Sequence, residues 1–259
     1  MMRFFSLIFV FFLNQILWSQ VVNIENKRIY DDTAGWSGTL DASFSAVQNK
    51  DLLMTGAFRP RVQYKTRKHY YLFLTDWVYS KGADRIYANS GMVHFRYAYR
   101  LKSKIDTVKK SPWKWESYTQ IQYNQLLDQR MRSVTGSGLR VKMYDKKGYK
   151  FFAGTSFFYE YEDIQSSGEK IHDVRWNTYL SWFIDPKGNF SFSGATYFQP
   201  ALRDFNDYRL MGQYALTVRF LKRVDIRLEF TSFYDTRPPE NVRNWIFSSS
   251  AGVRIRLGE

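Results

Sequence analysis

The sequence has 259 residues, but it contains no cysteine, only 6 prolines and only 3 histidines. The absence of cysteine excludes a disulfide scaffold, cysteine-ligated zinc and a thiol nucleophile. The histidines, His69, His94 and His172, are too few for a histidine-rich metal site, so we expect no metal and no cofactor. Glycine-rich phosphate loops and dinucleotide fingerprints are also missing. The length suits one large domain or two small ones, and we see no composition break that would divide it.

Long apolar runs are equally scarce. After the N-terminal segment, no run reaches the roughly 18 apolar residues that a transmembrane helix needs. Residues 1–20 are typical of a secretory signal peptide, with a positive charge before a short apolar run. We predict cleavage after Ser19 or Gln20, a periplasmic lead-in over 21–35 and a single domain over 36–259. The alternative is that the first segment remains as a membrane anchor.

Positive charge and aromatic residues are what the chain has in excess. It has 38 Lys and Arg against 24 Asp and Glu, a formal net charge of +14, and 22 Phe, 19 Tyr and 8 Trp. A basic chain can bind nucleic acid, but no basic cluster with stacking aromatics stands apart here, and export argues against that partner. We expect no nucleic acid. The basic loops are instead expected to contact outer-membrane lipid and lipopolysaccharide phosphates.

Apolar and polar residues alternate with a period of two along nearly the whole chain after the lead-in. In one example, Val93, Phe95 and Tyr97 alternate with His94 and Arg96. This period predicts β-strands instead of helices. About 20 residues for each strand with its connection fits a membrane barrel, whose strands need about 9–11 residues to cross the bilayer. The 12 predicted strands are 36–47, 52–64, 69–79, 91–102, 114–126, 137–145, 149–161, 173–184, 189–199, 207–220, 223–235 and 245–257.

The connections between the predicted strands alternate in length. Residues 145–148 and 185–189 carry tight-turn residues, as expected for one rim of an outer-membrane barrel. Two connections break the alternation, because 49–51 is short and 103–112 is long. Pro60 lies inside a strand, and we predict a local bulge there. The long loops predicted on the other rim are 80–90, 127–136, 163–172, 200–206 and 236–244.

Alternation alone does not distinguish a soluble β-sandwich from a membrane barrel, because each has one apolar face. Charged residues on the polar face of nearly every strand, Tyr and Trp near strand ends, and the export signal favour the membrane. We predict an all-β protein, a single antiparallel transmembrane β-barrel of about 12 strands in a Gram-negative outer membrane, with periplasmic termini. The aromatic residues expected at the interfaces are Trp36, Tyr64, Tyr79, Trp113, Trp115, Tyr144, Tyr149, Tyr161, Tyr234 and Trp245.

Several short stretches carry a family likeness in their order and spacing. They are Trp36–Ser45, Ala153–Glu160, Tyr197–Asp204 with Asp207–Leu210, and Tyr234–Pro239. On these stretches the chain resembles the uncharacterised bacterial salt-induced outer-membrane protein family, a domain-of-unknown-function family. The resemblance implies an outer-membrane β-barrel and no catalytic residues. It also implies the barrel-assembly machinery as a partner.

The predicted lumen is strongly charged, and basic residues dominate its inward positions. A water-filled basic wall favours anions, so the leading function is a narrow passive channel with an anion-preferring lumen and small anionic solutes as partners. The alternative is a non-conducting barrel of the stressed envelope, braced by arginine networks. The lumen-lining candidates are Arg59, Arg61, His94, Arg96, Arg100, Arg140, Lys142, Glu160, Arg175, Arg209, Arg219, Arg227, Glu229, Arg254 and Arg256.

A lipid-acting enzyme is a third alternative. Twelve-stranded outer-membrane phospholipases display a Ser–His pair on the outer face, and a histidine must reach its nucleophile to activate it. His94 is expected to face the lumen, and Arg96 stands where the serine would be. We therefore predict no catalytic residue. Carboxylate pairs could bind calcium but more often pair with arginines or lie in loops: Asp31/Asp32, Glu160/Glu162 and Asp204/Asp207.

Overall fold

A computed structural model describes residues 34–48, 52–83, 85–101, 111–186, 188–240 and 242–257. The predicted signal peptide and almost all of the lead-in lie outside the described residues. Among those described, no helix has the length and apolar character required to cross a membrane. The strands are β1 (Gly35–Gln48), β2 (Leu52–Lys65), β3 (His69–Gly82), β4 (Arg85–Arg100), β5 (Trp113–Asn124), β6 (Gln129–Lys146), β7 (Tyr149–Ile164), β8 (Lys170–Ile184), β9 (Phe190–Ala201), β10 (Asp204–Arg219), β11 (Val224–Asp235) and β12 (Trp245–Leu257).

The strands form one closed antiparallel barrel in which each strand pairs with its neighbours in sequence. β1 pairs with β12 to close the sheet, with Asp41 opposite Arg254. Over the paired residues, from Gly38 opposite Leu257 to Ala42 opposite Val253, closure removes the free edges that a sheet would otherwise expose to lipid. The predicted fold class and strand number are confirmed.

The two rims differ from the prediction. We call "turn rim" the end with both barrel termini and the connections 66–68, 101–112, 147–148, 185–189 and 220–223. We call "loop rim" the opposite end, with the connections 49–51, 83–84, 125–128, 165–169, 202–203 and 236–244. Of the predicted long loops, only 236–244 keeps its length. The others were wrong because the strands continue past the membrane band, where Ser, Thr and Gly on a paired strand resemble loop sequence.

Pro60 does not produce the predicted bulge. It pairs with Leu40 in an unshifted β1–β2 register. On the β3 side, pairing stops at Phe58 and resumes at Arg61 in the same register. Proline lacks the N–H that this ladder needs, so the sheet loses local pairing without an inserted residue.

The two faces of the barrel have opposite character. Outward side chains between the rims are apolar and exposed, among them Phe58, Phe95, Phe157, Leu180 and Leu228. Aromatic girdles flank this band, as expected for amphipathic rings at the two interfaces. Near the turn rim they are Trp36, Tyr64, Tyr71, Trp113, Trp115, Tyr144 and Tyr149, and near the loop rim Tyr79, Tyr87, Tyr123, Tyr161, Tyr234 and Trp245.

The position of the outward apolar band can be tested by placing the same positive charge at two depths relative to the membrane. Leu180 lies on the outer face between the girdles, and Leu202 is exposed at the loop rim. Leu180→Arg should lower the free energy of unfolding in lipid vesicles by about 2–4 kcal/mol, and Leu202→Arg by about 0–1 kcal/mol. Urea titration followed by tryptophan fluorescence measures both. Equal effects of the two substitutions would contradict a membrane-embedded band.

Candidate functional site: the lumen

The structure places all the predicted lumen-lining residues on the inward face. Most are buried, but Lys142 and Arg219 are 40% exposed at the turn rim. They lie as follows: Arg59 and Arg61 on β2; His94, Arg96 and Arg100 on β4; Arg140 and Lys142 on β6; Glu160 on β7; Arg175 on β8; Arg209 and Arg219 on β10; Arg227 and Glu229 on β11; Arg254 and Arg256 on β12.

One group of inward charges surrounds Asp41 at the closing seam. Arg254 donates to both carboxylate oxygens of Asp41, from Nε at 2.7 Å and from Nη2 at 3.0 Å. Arg61 donates to the same carboxylate, and Arg227 Nε lies 3.7 Å from it. A bidentate guanidinium–carboxylate pair fixes both partners in one plane, so Asp41 orients the arginines around the seam.

The same group continues along β2, β3 and β11. Arg227 donates to Glu229 at 2.7 Å, and Arg59 donates to Asp76 at 2.9 Å. Arg59 and Asp76 lie side by side where Pro60 interrupts the ladder. We call this set the Asp41 cluster: Arg59, Arg61, Arg227 and Arg254 with Asp41, Asp76 and Glu229. It has one more arginine than carboxylate.

A second group, nearer the loop rim, is centred on Glu160. Arg175 Nε donates to Glu160 at 2.9 Å, Arg209 Nη1 donates to it at 2.6 Å, and Arg132 also donates to it. Arg209 additionally donates to Glu162 at 3.0 Å. Since Glu160 is completely buried, these charges are stable only because each is paired with its neighbours.

The Glu160 group connects five strands, β6, β7, β8, β10 and β11. Arg209 donates to Asp235 at 2.7 Å, and Arg175 donates to Asp207 at 3.0 Å. Asp173 accepts from Arg203 at 3.0 Å in a salt bridge that ends at the loop rim. We call this set the Glu160 cluster: Arg132, Arg175, Arg203 and Arg209 with Glu160, Glu162, Asp173, Asp207 and Asp235.

A third group lies on β4 to β8, opposite the seam. Arg96 donates to Glu116 at 3.1 Å, and Tyr179 Oη donates to the same carboxylate at 3.4 Å. Arg140 lies 3.7 Å from Glu116 and stacks on Phe152 at 3.8 Å from the ring centre. These contacts occupy the inward face on the side of the barrel opposite the Asp41 cluster.

Sequence reasoning missed most of the partners of the arginines. Inward carboxylates not singled out are Asp41, Asp76, Glu116, Asp173, Asp225 and Asp235, whereas Glu162 and Asp207 were named only as members of carboxylate pairs. Their position in the period-two pattern would have placed them on the inward face. Arg132 was missed because 127–136 was assigned to a loop. The lumen wall is therefore rich in ion pairs, and its basic residues do not act as isolated charges.

The wall at the closing seam is lined by small side chains. Ser43 and Ser45 on β1, and Ser248, Ser250 and Gly252 on β12, point inward and are half-buried. We call these five residues the small-residue wall. The opposite wall carries buried Phe158 on β7 and Tyr179 on β8, and β3 carries buried Leu72 and Leu74. The inward side chains along this half of the seam are therefore smaller than those of the opposite wall.

The loop-rim end is narrowed by a short 3-10 helix, Gln125–Leu127. The side chain of Asn124 accepts from the backbone N–H of Leu126 and Leu127. Leu127 is buried in an apolar cluster with Tyr197, Met211, Phe233 and Ile246 on the far strands. The backbone N–H of Ser166, in the 165–169 connection, donates to the carboxylate of Asp128 at 3.1 Å. The helix thus folds over the lumen and is held there.

The histidines make structural hydrogen bonds. His94 lies inward and shares a 3.1 Å hydrogen bond with Gln120. His69 bonds Tyr97 at 2.8 Å, and His172 bonds Tyr159 at 2.6 Å, all on the outer face. Glu160 and Glu162, a possible calcium pair, accept from arginines instead. Among the described residues, no group of three or more His, Asp or Glu side chains could hold a metal.

Solved outer-membrane barrels share this fold. The NanC porin is 12% identical, with a TM-score of 0.54 over 85% of this chain and 100% of the porin. The KdgM porin, at 8% identity and a TM-score of 0.44, covers 86% of this chain and 99% of its own. No curated protein matches. The closed sheet, the apolar band and the likeness to NanC define an outer-membrane β-barrel with a porin-like fold.

Within that class, the chain belongs to the DUF481 family, described as a protein of unknown function, whose profile matches residues 56–245. The expected membership in an uncharacterised outer-membrane barrel family is confirmed.

The Glu160 cluster can be tested with one neutral substitution. Glu160→Gln keeps the side-chain shape but removes the carboxylate that three buried arginines share. The free energy of unfolding should fall by about 3–5 kcal/mol, since breaking a buried ion pair leaves charge uncompensated. Glu169→Gln, in the exposed 165–169 connection, is the matched control and should change it by less than about 0.5 kcal/mol. Equal urea midpoints for the two variants would show that the cluster does not stabilise the barrel.

Proposed function

We propose that the protein is a narrow passive channel whose path follows the small-residue wall and is constricted at the Asp41 cluster. The observation that carries this proposal is the asymmetry of the lumen. Half-buried serines line one side, while large buried side chains pack the other. A barrel built only as a scaffold would have no reason to keep one inward wall free of bulk.

The proposed path is wider on the turn-rim side of the Asp41 cluster and narrowest at the cluster itself. On the turn-rim side, the inward residues Arg100, Lys114 and Arg256 are half-buried. At the level of the constriction, Asp41, Arg61 and Arg227 are at most 4% exposed. The path is therefore narrow, which suits ions and small solutes.

We propose a weak anion preference. The turn-rim vestibule is basic, but at the constriction three carboxylates offset four arginines. Only the surplus positive charge would favour anions there. A strongly selective basic pore would need arginines without carboxylate neighbours, and the Asp41 cluster is not built that way.

For the orientation, we propose periplasmic termini, so that the loop rim faces outward. Outer-membrane barrels place their chain ends on the periplasmic side. The 3-10 helix that covers the lumen would then lie on the outside, where it can limit entry from the medium.

A non-conducting, braced barrel is the second candidate, and the Glu160 cluster favours it. Its charges link β6, β7, β8, β10 and β11 and are buried close to the loop rim. Such a network resists deformation of the wall whether or not solute passes.

Conductance in planar bilayers separates the two candidates and tests the constriction. The wild-type protein should give small discrete steps with a slight anion preference. Glu229→Gln removes one negative charge from the Asp41 cluster, so the reversal potential in a chloride gradient should move toward the chloride equilibrium potential. Glu240→Gln, in the exposed 236–244 connection, should leave it unchanged. A folded, inserted protein that passes no current would contradict the channel and support the braced barrel.

The loop-rim narrowing gives a separate prediction. Leu127→Ala shortens the side chain that anchors the 3-10 helix over the lumen, so single-channel conductance should increase. Leu126→Ala, next to it but only half-buried, is the control and should keep the wild-type step size. The same step size for both variants would show that the helix does not limit flow.

A further inference from the structure

The closing seam of the barrel is paired over only part of its length. β1 pairs with β2, and β12 with β11, along almost their whole lengths. Between β1 and β12 the ladder runs toward the loop rim only as far as Ala42 opposite Val253. Over the described residues, the two strands form no ladder pair beyond that point, so 43–48 faces 247–252 without backbone pairing. We call this stretch the unpaired seam.

Backbone groups along the unpaired seam need another partner. In hydrocarbon an unsatisfied N–H or C=O costs several kcal/mol, so irregular backbone at this depth is tolerated only beside water or polar groups. The lumen side of the seam supplies hydroxyls, because the small-residue wall lies there. At the turn-rim end of the unpaired seam, Gly252 closely approaches Ser43. A Cβ added to Gly252 would lie 3.1 Å from the Ser43 Cβ.

The outer side of the same stretch is apolar. Phe44 is 74% exposed, Phe247 66% and Trp245 65%, on the two strands that border the seam. Next to β1, a groove of about 630 Å³ runs from Phe44 over Gly56 to Trp77. A Cβ added to Gly56 would meet nothing within 4 Å, so the floor of the groove is open.

The Asp41 cluster lies next to the unpaired seam, on its turn-rim side. Asp41 and Arg254 form the ladder pair adjacent to the last one, Ala42 and Val253. The cluster has a surplus arginine, and the Arg254 side chain is 14% exposed. A negatively charged group that enters beside the serines would therefore contact guanidinium groups at the turn-rim end of the unpaired seam.

We propose that the unpaired seam is a lateral opening that binds anionic single-chain amphiphiles, such as fatty-acid carboxylates. The carboxylate lies in the lumen beside the serines and the Asp41 cluster, and the chain passes between β1 and β12 toward the outer-face groove. This inference uses the lumen of the proposed channel but does not require ion conduction. It goes beyond solute passage along the barrel axis, because the ligand connects the lumen with the membrane.

A reversible disulfide across the unpaired seam tests the opening. The wild-type chain has no cysteine, so no native thiol interferes with the engineered pair. Continuing the register past Ala42 and Val253 places Ser45 opposite Ser250. The variant Ser45→Cys/Ser250→Cys can be oxidised to tie the unpaired seam. The matched control, Ser117→Cys/Ser137→Cys, ties β5 to β6, far from the unpaired seam, where the ladder continues on both sides of that pair. The probe is dansyl-labelled undecanoate added to protein in phosphatidylcholine vesicles, with empty vesicles subtracted.

The expected result is saturable dansyl fluorescence with the wild-type protein and with the oxidised control. The signal should be lost in the oxidised seam variant and restored by reductant. The neutral methyl ester of the probe should give no saturable signal. Equal binding by the oxidised and reduced seam variants, or equal binding of acid and ester, would overturn the proposal.

Two further measurements keep the test decisive. If the seam cysteines do not oxidise, Ser250→Trp fills the opening in their place and should remove probe binding. Heat-modifiable gel migration shows that each variant is folded. Conductance of the same samples separates this inference from the proposed channel: a silent barrel that binds the probe overturns only the channel. Conducting protein that shows no saturable binding overturns only the lateral site.

Discussion

The rest of the structure depends on closing the sheet, because a barrel in lipid can leave strand edges unpaired only beside water or polar groups. A short loop does not hold β1 beside β12 at the closing seam, since the two strands are separated by nearly the whole sequence. The Asp41 cluster lies on this seam. Asp41 on β1 binds Arg254 on β12 and Arg61 on β2, and Arg227 on β11 is beside it. One carboxylate thus gathers side chains from both sides of the closure.

The apolar side chains of each strand face lipid. The inward face therefore carries the polar side chains of each strand, and its charged groups are buried. Burial is tolerated only when each charge is paired, which accounts for the dense Arg–carboxylate contacts. The Glu160 cluster shows this most fully. The same pairing lowers the effective charge of the lumen, so a chain with a net charge of +14 does not have a correspondingly basic interior.

The inward face is not uniform, and the proposed activities rest on that difference. Large side chains fill the wall opposite the seam, whereas serines and a glycine occupy the seam itself. The proposed path for solute and the partly unpaired seam therefore lie at the same place. The short helix that carries Leu127 covers the lumen at one end, and the Asp41 cluster is the proposed constriction in the middle.

The period-two pattern was sufficient to predict the strands and their number, because one side of each strand must meet lipid. It also contained Asp41, which was overlooked on the inward face. The pattern did not predict the extent of β4 and β6 beyond the membrane, since polar strand residues there resemble loops. Nor did it predict the outcome at Pro60. Which arginine meets which carboxylate, and where the β1–β12 ladder stops, depend on the register across strands distant in sequence. Local alternation determines the facing of a residue, while only closure of the barrel determines its partners.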